Sequence, residues 1–152
     1  MKLSESVMLG STQIKLSGDV YMGRNCGCLL GMGMKAQGVD LLAAGFVTAS
    51  DQENEIAQRY PWIMKLFTVP KTQRIVSLPS EATGVIKRYS FVRNNTEAKA
   101  KDIISLWAIM VAEGVATIEQ AVDWIRENEP QETEKEAPQT NMEEPVCVLA
   151  KQ

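Results

Sequence analysis

Two thiols stand one residue apart at Cys26-Gly27-Cys28, the chain's nearest approach to a metal or redox motif. Thiolates bind soft metals, but two ligands cannot fill a tetrahedral site, and no histidine or second cysteine pair is present to complete one. On a helix the two side chains would point roughly 200° apart around the axis, which disfavours a shared ion. The expectation is therefore structural: Cys28, just before Leu29 and Leu30, is a small core residue, and Cys26 is at most a surface thiol. The missing imidazole reaches further. Ser-His and Cys-His nucleophile pairs, His-ligated metals and a histidine pH switch all require a side chain that is absent from all 152 residues. No metal or other cofactor is expected.

The remaining chemical candidates have plainer readings. Asp51, Glu53 and Glu55 are the densest carboxylates before the C-terminal region, but a helix N-terminus would attract them for stability alone. Gly27, Gly31, Gly33 and Gly38 fit neither GxGxxG nor GxxxxGK[ST], so close helix packing is expected rather than a nucleotide. Between residues 65 and 101 there are eight basic residues, Lys65, Lys71, Arg74, Lys87, Arg88, Arg93, Lys99 and Lys101, against Glu81 and Glu97. Tyr89 and Phe91 interleave with them, a pattern that tracks and stacks single-stranded nucleic acid but equally describes a solvated face over core aromatics. Lys71, Arg74, Lys87, Arg88 and Arg93 form the expected partner-binding set. An acidic protein is the first partner class, nucleic acid the second.

These residues need elements to hold them. Ser4 and Glu5, followed by Val7 and Met8, predict a short first helix capped by Ser4, with Leu3 stapled to Met8 and Gly10 as its stop. Ile14 and Leu16 alternate with polar residues before the turn-forming Ser17-Gly18-Asp19, so a hairpin with Val20-Tyr21-Met22 is expected. A glycine-bearing helix is predicted over 25–37, stopped by Gly38. A third helix is predicted over 52–60, capped by Ser50 or Asp51, with Pro61 opening a further turn, PWIMKLF. The RIVSLP and VIKRYSFV stretches suggest a second hairpin within 69–95.

The clearest periodicity comes last. Ile103, Leu106, Trp107 and Met110 fall at i, i+3, i+4 and i+7, predicting an amphipathic helix over 96–113. Gly114 stops it, and Thr117 with Gln120 three residues on forms a capping box for a second helix bearing Ile118, Ala121, Val122 and Ile125. As a DNA-binding helix-turn-helix this pair is poor, since Glu119, Asp123 and Glu127 would repel phosphates. Trp107 and Trp124 are expected as core or dimer anchors.

From residue 127 onward the composition changes to Glu, Gln, Thr and Pro, which cannot offset the entropy of ordering, and a disordered acidic tail over 127–152 is expected. Seven glutamates against Lys135 and Lys151 give that stretch −5; with the whole chain at −3, the first 126 residues carry +2. Such an acidic segment could fold back and compete for the basic region. Three cysteines do not make an even disulfide framework, and the opening MKLSESVML lacks the apolar stretch of a secretory signal. No stretch approaches the roughly 18 apolar residues of a membrane span. A cytoplasmic protein with no membrane partner is expected.

MKLSESVMLGS, GCLLGMGMKAQG, YPWIM and ATIEQAVDWIRENEP, in that order, resemble a family of uncharacterised short bacterial and phage proteins. Its members carry an MKLSEAI-like start, a GCALG-like segment, a YPWL-like turn and a TREQIADWV-like C-terminal helix. Where such proteins often carry Cys-Pro-x-Cys, this chain has Thr68-Val69-Pro70-Lys71. The resemblance implies organisation, with a phage or prophage origin, and no chemistry. The resulting expectation is an α+β, mostly α fold. A single small helical domain over 1–126 carries one or two short β-hairpins and a C-terminal helical hairpin. Its expected function is that of a non-enzymatic accessory or regulatory protein acting by macromolecular binding. A nucleic-acid-binding module and a self-associating structural subunit are the alternatives.

Overall fold

A computed structural model describes residues 1–13, 15–16, 26–75, 92 and 94–131, the side chains of Lys15, Cys26, Arg74 and Ile75 excepted. The fold is α+β and mostly helical. Helix α1 (Leu3–Gly10) and helix α2 (Leu29–Ala36) pack directly on one another, burying Leu3 and Val7 against Leu29, Leu30, Met32 and Met34. The approach is close enough that a Cβ on Gly10 would lie 2.1 Å from the Met32 carbonyl oxygen. Gly33 faces Ser6 and Leu3 at 3.0 and 3.1 Å in the same way. The expected reason for glycine in this segment, close helix packing, holds at Gly33. Gly38, at φ 81°, occupies the left-handed conformation that follows α2.

Cys28 precedes α2 in extended conformation and is buried, so the helix begins four residues later than expected. The segment leaving α1 and the segment entering α2 meet as a short parallel pair: β1 (Lys15–Leu16) with β2 (Cys26–Gly27), in register Lys15↔Cys26 and Leu16↔Gly27. The described half of the first expected hairpin therefore pairs in parallel with a different segment. Alternation in a three-residue run names a strand but not its neighbour, and the packing of α1 on α2 chooses it. Val20-Tyr21-Met22 lies outside the described residues, as do the tail from residue 132 and most of the second expected hairpin, whose described start, Arg74-Ile75, is the end of a short helix and not a strand.

Helix α3 (Ala49–Arg59) starts earlier than expected because Thr48, rather than Ser50 or Asp51, supplies the cap, its Oγ1 accepting from the Asp51 N–H at 3.1 Å. Pro61 opens a 3-10 turn, Pro61–Met64, that buries Trp62 and Ile63. Strand β3 (Leu66–Thr68) follows, then the short helix α4 (Lys71–Ile75), whose buried Gln73 donates from Nε2 to the Ile103 carbonyl at 3.2 Å. Strand β4 (Glu97–Lys99) pairs antiparallel with β3 and runs straight into helix α5 (Ala100–Ala112). The expected 96–113 helix is thus a strand at its start, since Lys65 and Val69 offer ladder partners there.

Gly114, at φ 80°, turns the chain, and helix α6 (Ile118–Asn128) opens on the expected capping box of Thr117 and Gln120, at 3.1 and 2.9 Å. The apolar stripes of α5 and α6 bury Ile103, Ile104, Leu106, Val122 and Ile125, and Trp107 and Trp124 are core residues. Helix α6 continues past residue 126, and Glu129 is only 4 % exposed, so the folded part includes the first three residues assigned to the tail. No described helix is long and apolar enough to cross a membrane.

Candidate protein-binding edge

The sequence's chemical candidates do not converge. Cys28 is in the core, and the side chain of Cys26 lies outside the description. Asp51 sits in the first turn of α3, Glu53 pairs with Lys101 at 3.1 Å, and Glu55 lies 3.9 Å from Arg59 one turn on. Among the described residues no three His, Cys, Asp or Glu side chains are grouped to hold a metal. A groove of about 550 Å³ runs between α1, α2 and the α5–α6 turn, walled by Met8, Leu16, Met32, Val111 and Ile118, with Glu119 at its edge. Its walls are predominantly apolar side chains and offer no nucleophile paired with a base.

Of the five basic residues expected to bind a partner, Lys71 is described and exposed at the start of α4. Arg74 belongs to α4 by its backbone; Lys87, Arg88 and Arg93 lie outside the described residues. Lys101 is drawn inward by Glu53 and by Asp102 at 3.4 Å. Lys65 and Lys99 are exposed; the β3–β4 register sets Lys99 opposite Leu66, on one face of the pair, while Lys65, opposite Ala100, alternates to the other.

That register also fixes which backbone groups are used. Ala100 donates to the Lys65 carbonyl at 2.9 Å and Val69 donates to the Thr96 carbonyl at 2.9 Å. In an antiparallel ladder bonded positions alternate, so Phe67 faces Ala98 while the N–H and C=O groups of Leu66 and Thr68 point away from β4. Among the described residues no strand takes that outer edge. The side chains alternate with it: Phe67 turns inward, edge-on to Trp62 and Trp124 at 5.8 Å each, while Leu66 is 63 % exposed. This strand edge, unpaired among the described residues, bears an exposed leucine, has the exposed Lys65, Lys71 and Lys99 within a few residues along β3, β4 and their flanks, with Glu97 the one acid in the strand pair, and can take up an extended chain. Sequence reading missed β3 by extending the turn through Phe67. The signal was Lys65-Leu66-Phe67-Thr68-Val69, an alternating β-prone run closed by Pro70.

A second polar group lies inside the fold. Ser4, expected as a cap, is buried within α1, and both its N–H, at 3.1 Å, and its hydroxyl donate to the Glu129 carboxylate. The true N-cap position, Lys2, gives α1 no side-chain cap. Nearby, the Tyr60 hydroxyl accepts from Gln37 Nε2 and donates to the Met1 carbonyl at 3.0 Å. Burial pushes the Tyr60 pKa above its ordinary value of 10.0, outweighing hydrogen bonding to Ser6 and Gln37 and the charge of Arg59, with Glu129 adding to the rise. The neutral phenol holds its proton more tightly in the folded state, so this contribution is complete below pH about 10 and is lost as pH rises toward the folded value. Between pH about 9 and 11 the thermal midpoint of the protein should fall more steeply than that of Tyr60→Phe. Equal slopes in a pH-resolved melting series would contradict the assignment.

No family model, curated protein or solved structure matches this chain.

Proposed function

We propose that this chain is a non-enzymatic, cytoplasmic accessory or regulatory protein that acts by binding another protein. The observation that carries the reading is the outer edge of β3, where the Leu66 and Thr68 backbone groups face away from β4 beside an exposed leucine. Its ligand is an extended segment that supplies ladder hydrogen bonds, apolar side chains for Leu66 and carboxylates for Lys65, Lys71 and Lys99.

The test uses Thr68→Pro, which removes an outward N–H and leaves the β3–β4 ladder intact, together with Leu66→Asp. Partners captured from source-cell lysate by the full chain, with and without nuclease, are identified, purified and rebound. At least one protein is expected to survive nuclease and to lose about tenfold or more in affinity, roughly 1.4 kcal/mol, with either variant. Binding that ignores both substitutions would overturn the edge as the site. Capture abolished by nuclease would assign the surface to nucleic acid instead.

A further inference from the structure

We propose that segment 143–149 of this chain is itself a ligand for the β3 edge, adding as a strand and competing with the external partner. This rests on the binding role proposed above and names its regulation. The sequence there is Glu143-Glu144-Pro145-Val146-Cys147-Val148-Leu149. Val146 and Val148 alternate as a half-buried strand requires, and a proline at 145 disfavours helix at the residue before it. Glu143 and Glu144 bring the charge that Lys65, Lys71 and Lys99 lack; a second copy of β3 would instead set the same lysines against one another.

Where the chain leaves the fold makes the contact local. Trp124 touches Phe67, the residue between Leu66 and Thr68, with ring centroids 5.8 Å apart. Glu129 is fastened to Ser4 only five residues further on, roughly 8 Å along the helix axis. The sixteen residues 130–145 reach up to ~50 Å at full stretch. Short linkers give effective concentrations in the millimolar range, so a segment whose free-peptide Kd is near ~0.1 mM would occupy the edge about nine-tenths of the time.

The experiment follows amide hydrogen exchange at Leu66 and Thr68 by NMR in the intact protein and in the full-length Val146→Asp/Val148→Asp variant. Exchange at both amides is expected to be about tenfold slower in the intact protein. Excess synthetic peptide of residues 142–152 should restore that slowing to the variant. Equal rates in the two chains would overturn the proposal, as would a difference spread evenly over exposed amides elsewhere, which reports global stability. The two readings fail separately. Equal rates alongside a partner that still needs the Thr68 N–H would remove self-competition and leave the binding role. Edge protection with no partner sensitive to Thr68→Pro would confine the edge to the chain's own segment and remove the binding role.

Discussion

Gly10→Ala is expected to destabilise the fold by about 3 kcal/mol, the upper end of ordinary overpacking, and to lower the thermal midpoint by roughly 10 °C. The added methyl would stand 2.1 Å from a backbone carbonyl oxygen of α2, and backbone cannot rotate out of the way as a side chain can. Helices α1 and α2 would have to separate, loosening Leu3 and Val7 from Leu30, Met32 and Met34. Gly33→Ala is the internal control. Its methyl would meet the ends of the Ser6 and Leu3 side chains at 3.0 and 3.1 Å, and small rotamer shifts relieve that at about 1 kcal/mol or less. Chemical denaturation of both variants checks the ranking, and similar losses would place the closest approach of α1 and α2 elsewhere.

Glu129→Ala is expected to cost about 3 kcal/mol, because it removes two charge-assisted hydrogen bonds and leaves the buried Ser4 donors unmet. The carboxylate also stands where α1 presents the positive end of its dipole, and it serves as the side-chain cap that Lys2 does not provide. Glu129→Gln keeps an acceptor for the Ser4 N–H and should recover part of the loss. A double-mutant cycle with Ser4→Ala isolates the hydroxyl-carboxylate bond, for which a coupling of about 1 kcal/mol or more is expected. Purely additive losses would show that the hydroxyl bond contributes nothing and that Glu129 acts through the Ser4 N–H and the helix end alone. The same bond fixes Glu129, the last residue held in the fold by a long-range hydrogen bond among those described, against α1.

Much of the helical frame is legible in the residues. Thr117 and Gln120 announce the start of α6, Gly114 its separation from α5, and the 3.6-residue stripe through Ile103, Trp107 and Met110 the face that enters the core. Such signals act within a turn or two of helix, so their physics is complete in the local sequence. Local signals mislead where two hydroxyls compete for one task. Ser4 and Ser50 both have capping chemistry, yet Thr48 takes the cap of α3, while Ser4 turns inward to a carboxylate 125 residues away.

The candidate site shows the same division. Exclusion of histidine chemistry follows from composition alone, and the positive balance of the first 126 residues follows from counting. Which lysines share a face does not, because charge along a chain carries no information on the fold's surface until strands pair. The register puts Lys99 on the face of Leu66 and Lys65 on the other, and the bond to Glu53 takes Lys101 away. Five residues of β-prone alternation at 65–69 suffice to form a strand, but the sequence cannot say which edge is left open. That depends on β4 arriving from beyond residue 96 to bond Lys65, Phe67 and Val69, so that Leu66 and Thr68 face outward. Sequence determined the absence of imidazole chemistry by composition and every helix but α4, with their stops, by contacts a few residues apart. The tertiary structure alone decided the parallel β1–β2 pair, the Ser4–Glu129 bond and the register of β3 on β4, because each joins groups whose separation along the chain exceeds any local pattern.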